Sequence, residues 1–167
     1  IQRLRAAGGV SVGKTNTREF GAGSHTYNPV FGATCKPPDP SRSAGGSSGG
    51  AAAALASGMV PLADGSDLGG SLRNPASFCG IIGLRPTPGT VPSWPSGDPW
   101  DPLPTEGPMG RTAADVALFL EAMVGPHPEV PFRGAVGPFG PLDRSLAGLR
   151  VAWSPDAGGL AVERAVR

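Results

Sequence analysis

From Pro86 to Pro108, eight positions are proline. Proline holds φ at about −65° and has no backbone N–H, so neither a regular helix nor a central strand is expected to run through such a stretch. The whole segment therefore reads as loop. It is the extreme of a general tendency, since 27 glycines and 20 prolines make up about 28% of the 167 residues, a level met in low-complexity chains. The hydrophobic fraction of 39% against a charged fraction of only 16% is the reverse of the balance that keeps a chain unfolded. The expectation is one folded, loop-rich domain, of a size that buries roughly 70% of the unfolded surface.

Fourteen basic and 13 acidic residues leave a net charge of +1, too small a field to point to nucleic acid or a membrane as partner. The longest strongly apolar run, residues 51–56, is far short of the roughly 20 residues that cross a bilayer, and no charged-then-apolar leader opens the chain. The chain starts at Ile1 rather than Met, and residues 161–167 read as the opening turns of a helix, so a fragment is expected. Cys35 and Cys79 are too few for a metal site and read as free thiols of a reducing cytoplasm.

An α/β layer is expected at the start, where residues 1–7 read as the tail of an amphipathic helix halted by Gly8-Gly9 and Val10-Ser11-Val12 as a short strand. Residues 21–46 carry turn residues throughout and read as irregular. The alanine run within 48–56 is the best helix former in the chain and Gly58 closes it. Residues 59–63 read as a short strand despite Pro61, leading into a polar turn over 64–71, and residues 81–84 as another strand ended by Arg85 and Pro86. A helix then opens at Thr112, which with Asp115 forms a capping-box pair; Val116, Phe119, Leu120, Met123 and Val124 share one face, and Gly125-Pro126 stops it. A last strand is expected over 149–153. No internal repeat is present.

GGVSVGKT (8–15) has the spelling of a phosphate-binding loop, but a helix precedes it, the strand-like residues fall inside it, and Gly21 and Gly23 interrupt the stretch after Thr15, where a long helix would be needed. Lys14 and Asn16 read instead as structural polar groups. GGSSGG (45–50) before the alanine helix is either a linker or an anion-binding helix start. A second glycine-framed serine, Gly69-Gly70-Ser71, lies downstream of Ser47. Successive glycines let backbone amides converge on one spot, as an oxyanion site requires, and leave the Ser71 hydroxyl approachable. A serine nucleophile needs a base. His25 and His127 have no neighbouring acid in a recognisable arrangement, which argues against a Ser-His-Asp triad, and Lys14 and Lys36 read as structural or solvent-exposed.

GKTNTREFGAGSHTYNPVFGAT (13–34), SRSAGGSSGGAAAALASG (41–58), GSDLGGSLRNPASFCGIIGLRPTPG (65–89) and GPMGRTAADVALFLEAM (107–123) together resemble the amidase signature family. That family includes fatty acid amide hydrolase, bacterial aliphatic and aryl amidases and the A subunit of the glutamyl-tRNA amidotransferase. The resemblance spans nearly the whole chain and implies an α/β fold, a mixed β-sheet core covered by helices, of which residues 1–167 would be a part incomplete at both ends. It implies Ser71 as the nucleophile that forms the acyl-enzyme. Ser47, behind a cis peptide after Gly46, would relay protons between Ser71 and a lysine. The amides of Leu68, Gly69, Gly70 and Ser71 would form the oxyanion hole, with Ser48 and Asp67 in supporting hydrogen bonds and Arg73 anchoring the nucleophile loop. No cofactor or metal is implied.

The family's lysine base sits in a Lys-Asp segment upstream of the GKTN stretch, and Lys14 does not match it. Cys35-Lys36-Pro37-Pro38 also departs from the usual Arg-Asn-Pro-aromatic run. The resulting expectation is a cytoplasmic amidase acting on a small-molecule amide, as a homo-oligomer or with partner subunits, and with little activity in these 167 residues alone. Two alternatives stand beside it: an amidotransferase subunit that releases ammonia from glutamine, and a non-catalytic relic or interaction module built on the proline-rich segment with Trp94 and Trp100.

Overall fold

The computed structural model describes residues 1–134, 137, 139–143, 145–154 and 159. A short helix, α1 (Gln2–Ala6), opens the chain and gives way at Gly8, whose φ of +86° suits glycine. Two small antiparallel hairpins follow, β1 (Tyr27–Asn28) with β2 (Gly32–Ala33) and β3 (Cys35–Lys36) with β4 (Asp39–Ser43). The central layer comprises α2 (Gly49–Ala56), β5 (Leu62–Asp67), α3 (Arg73–Cys79), β6 (Ile82–Gly83), β7 (Thr105–Gly110) and α4 (Ala113–Met123). Strands β5, β7 and β6 form one sheet in that order, with β7 in the middle. The chain is α/β as expected, and every strand pairing among the described residues is antiparallel.

Two small cores hold these layers. Helix α2 buries nearly its whole circumference, which its alanines and glycines permit because they let neighbours approach closely: a side chain at Gly50 would run into the backbone of Asn16. Leu55, Leu72 and Met109, all fully buried, join α2, α3 and β7 into the main core. The second core sets Val91 against Leu120 and Met123 of α4, with Leu4 of α1 packed on it. Helix α4 matches expectation in its capping box, Thr112 accepting from the Asp115 amide and Asp115 from the Thr112 amide, each at 3.1 Å.

Several expectations are corrected. Residues 10–12 form no strand, and Val10 and Val12 are exposed, so nothing packs on the apolar side chains that a strand there would have buried. Residues 21–46 are less irregular than their turn composition suggested, since the two hairpins lie there. The strand expected at 59–63 is shifted to β5, so that Asp64, Gly65 and Ser66, which read as turn, are strand residues. Six consecutive partners on β7, from Leu62 opposite Gly110 to Asp67 opposite Thr105, outweigh local preference. Gly65 serves close packing there: a Cβ would fall 2.8 Å from Ser48 Oγ and 2.9 Å from a Leu72 methyl.

The proline segment is loop only as far as Pro104, because β7 begins at Thr105 and runs through Pro108 in the middle of the sheet. The sheet tolerates this because the Pro108 carbonyl accepts from Leu84 N at 3.1 Å. The Pro108 nitrogen, on the same side of its strand, therefore faces the place where two-residue β6 has already ended, not β5. Residues 149–153 form no strand, and Val151 and Trp153 are exposed. The helix expected from Ala161 lies outside the described residues.

Candidate active site

The two glycine-framed serine loops meet at the N-terminus of α2. Ser47 and Ser48 are buried immediately before that helix, and the Gly46–Ser47 peptide is cis. Thr26 clamps the turn by donating from its buried hydroxyl to the Ser47 carbonyl at 3.0 Å while accepting the Gly49 amide at 2.9 Å. The Arg18 amide reaches the same carbonyl at 3.4 Å. Ser48 ties this turn to the sheet, its hydroxyl accepting from the Ser66 amide and donating to the Ser66 carbonyl, both at 3.3 Å. The Ser48 amide donates to the Ser71 carbonyl at 3.3 Å. Through these bonds the loop of Ser47 and the loop of Ser71 lie side by side, although a helix and a strand separate them along the chain.

Asp67, the last residue of β5, shapes the second loop. It is fully buried, and the chain curls around its carboxylate. One oxygen accepts the Gly70 amide at 2.7 Å; the other accepts the amides of Leu72 at 3.1 Å and Arg73 at 3.4 Å. The Arg73 guanidinium closes on both oxygens, at 2.9 and 3.0 Å, the two-pronged geometry that suits arginine and carboxylate. A second guanidinium, that of Arg85, has its Nε 3.5 Å from Oδ1. The Gly70 amide is therefore engaged by Asp67, whereas the amides of Leu68, Gly69 and Ser71 have no partner among the described residues. Leu68 and Gly69 are exposed and Ser71 is half-buried, so this row of donors can be approached from outside.

Burial acts to raise the Asp67 pKa, but the Arg73 guanidinium and the amides of Gly70 and Leu72 outweigh it and hold the carboxyl down at about 2, below its ordinary 3.8. A depressed folded pKa contributes stability that is present above the unfolded value and lost as pH falls through the folded one. Urea unfolding followed by circular dichroism is accordingly expected to show a loss on the order of 2 kcal/mol from this group between about pH 4 and pH 2. In Asp67→Asn that component of the pH dependence should vanish.

The residues singled out from the sequence fall into one cluster: Ser47, Ser48, Asp67, Leu68, Gly69, Gly70, Ser71 and Arg73. The histidines lie elsewhere, His25 bonded through Nδ1 to Ser43 Oγ at 2.8 Å and His127 stacked on Trp94. Lys14 is exposed. Thr26 and Arg85 are the two site residues that sequence reasoning missed. Thr26 carries no local signal, because it acts on a distant turn, and Arg85 read only as the end of a strand. Among the described residues no cluster of three or more His, Cys, Asp or Glu is placed to hold a metal ion, and no helix is long and apolar enough to cross a membrane. Cys35 is exposed and Cys79 buried, both as free thiols.

A buried carboxylate gathers the amides of a glycine loop, and that loop is set against a second serine turn at a helix start. The family model for amidases matches residues 1–167, and the chain belongs to this family, the amidase signature enzymes. It is 49% identical over 156 residues to the A subunit of the glutamyl-tRNA(Gln) amidotransferase of Chromohalobacter salexigens, covering 90% of this chain and 32% of that protein. It is 45% identical over 161 residues to an acylamidase of Rhodococcus erythropolis, covering 95% of this chain and 34% of that one. A 6-aminohexanoate cyclic dimer hydrolase solved with its substrate superposes with a TM-score of 0.78 at 41% identity, over 82% of this chain and 29% of the hydrolase. The chain thus spans about a third of the length of the relatives it matches.

Proposed function

We propose that this chain carries the serine loops of an amide hydrolase that works by acyl transfer, with residues 1–167 belonging throughout to one amidase signature domain. The observation that carries this reading is the bond from the Ser48 amide to the Ser71 carbonyl, the direct link between the two serine loops. Ser71 Oγ attacks the amide carbonyl, and its proton passes through Ser47 toward the amine, which leaves as the carbon–nitrogen bond breaks. Water then attacks the acyl-enzyme, the acid departs, and Ser71 regains its proton. The amides of Leu68, Gly69 and Ser71 hold the oxyanion; Gly70, grouped with them from the sequence, is instead a loop-forming donor to Asp67. Ser48, Asp67 and Arg73 keep the two loops in place. Neither Lys14 nor Lys36 is assigned the part of the relay lysine.

The substrate is a small-molecule amide, and two free thiols fit a cytoplasmic protein. A glutaminase acting within a multi-subunit amidotransferase is the second reading, favoured by the 49% identity to an amidotransferase relative. Both readings use the same serine chemistry, so one experiment addresses them. The complete gene product is incubated with acyl anilides, with glutamine and, separately, with a fluorophosphonate. Hydrolysis and a labelled peptide carrying Ser71 are the expected result, and release of ammonia from glutamine alone would select the second reading. No hydrolysis of any amide and no label on Ser71 would overturn both.

A further inference from the structure

Asp67 faces two arginines, and the one that the sequence did not mark is the more enclosed. The Arg85 side chain is 24% exposed against 56% for Arg73. Arg73 opens α3, directly after the loop that it holds. Arg85 comes from outside that loop, just beyond the end of β6, and its bonds go mainly to backbone: Nε donates to the Asp67 carbonyl at 3.3 Å and Nη2 to the Leu103 carbonyl at 2.8 Å. Asp67 is the last residue of β5 and stands opposite Thr105, the first residue of β7; Leu103 lies two residues before Thr105. The guanidinium therefore joins three chain segments at the sheet end from which the nucleophile loop departs.

Proline explains why a side chain is used here. Leu84 still donates its amide to Pro108, and a longer β6 would have carried that pairing onward along β7. Pro86 has no N–H and stops β6, while Pro102 and Pro104 remove donors from the approach to β7. Arg85 supplies donors at that point in a rigid planar fork, and the same group lies 3.5 Å from the Asp67 carboxylate. Arg85 thereby holds the backbone carbonyl of Asp67 while Arg73 grips its carboxylate.

We propose that Arg85 is a positioning residue for acyl transfer: by clamping Asp67 and the Leu103 carbonyl it sets the place of the oxyanion amides and of Ser71 without touching substrate. This rests on the amidase reading above. Displacement of reacting groups by about 1 Å through a remote change costs on the order of 100-fold in rate, so the effect of Arg85 belongs in kcat.

The test uses R85Q and R85K in the complete gene product, with circular dichroism and thermal melting for the fold, fluorophosphonate labelling of Ser71 for site integrity, and anilide hydrolysis for turnover. R85Q is expected to fold and to label to the wild-type end point, but about 100-fold more slowly, with kcat falling in parallel and KM unchanged within about twofold. R85K should fall between, since one ammonium cannot reproduce the fork that spans two carbonyls. Wild-type labelling and kcat in folded R85Q would overturn the proposal while leaving the amidase reading intact. Failure of both variants to fold would also overturn it, because Arg85 would then serve stability alone. A wild-type protein that neither labels at Ser71 nor hydrolyses anilide would instead remove the amidase reading on which the proposal rests.

Discussion

Replacing Ser71 with alanine is expected to leave the protein folded and to lower kcat for amide hydrolysis by at least about 10,000-fold, the scale on which removal of a serine nucleophile acts in other acyl-transfer enzymes. The fold should survive because the loop is built from backbone bonds that alanine retains: the Ser71 carbonyl still accepts from Ser48, and the neighbouring amides still converge on Asp67. Ser47→Ala should also be deeply impaired, since it removes the only other hydroxyl proposed for the proton relay. The double variant should be little worse than Ser71→Ala, because groups that act as a unit do not lose activity additively. Steady-state kinetics on an anilide, with fluorophosphonate labelling to count competent sites, measures all three. Additive losses in the double variant would mean that the two serines do not share one proton path.

Asp67→Ala is expected to have the largest effect on stability. The carboxylate is fully buried and accepts three amides and the Arg73 fork. Its removal leaves the buried Gly70 and Leu72 amides without an acceptor, at about 1 to 3 kcal/mol for each orphaned donor. Urea unfolding of variant and wild type at pH 7 measures the difference. Asp67→Asn keeps the shape and one acceptor oxygen but not the charge, so its cost should be smaller and its residual activity higher. Equal stability in Asp67→Ala and wild type would show that the loop holds its form without the carboxylate.

Much of the candidate site could be read directly from residue order, because its parts are short and local. Glycines on either side of Ser47 and before Ser71, the aspartate shortly before Ser71 and the arginine just after it lie within two motifs, and the second of these folds on itself around Asp67. The capping box of α4 was equally legible, since Thr112 and Asp115 bond to each other. Reading failed where a distant partner decided the outcome. Asp64, Gly65 and Ser66 have turn propensities but become strand because β7 pairs with them. Pro108 has no amide to offer and still lies in a central strand, because β6 ends just where that amide would be needed. Val10 and Val12 have strand propensity and yet lie exposed outside any strand.

Residue order by itself supplied the two glycine-framed serines, and the resemblance of the motifs around them supplied the parts that Ser47, Asp67 and Ser71 are expected to play. Tertiary structure decided how those pieces meet. The placing of Ser47 beside Ser71, the clamp of Thr26 on the serine turn and the reach of Arg85 across three segments each join residues that no local bond connects. Propensity acts over a few neighbours along the chain, whereas a hydrogen bond or a packed methyl acts on whatever the fold brings within about 4 Å.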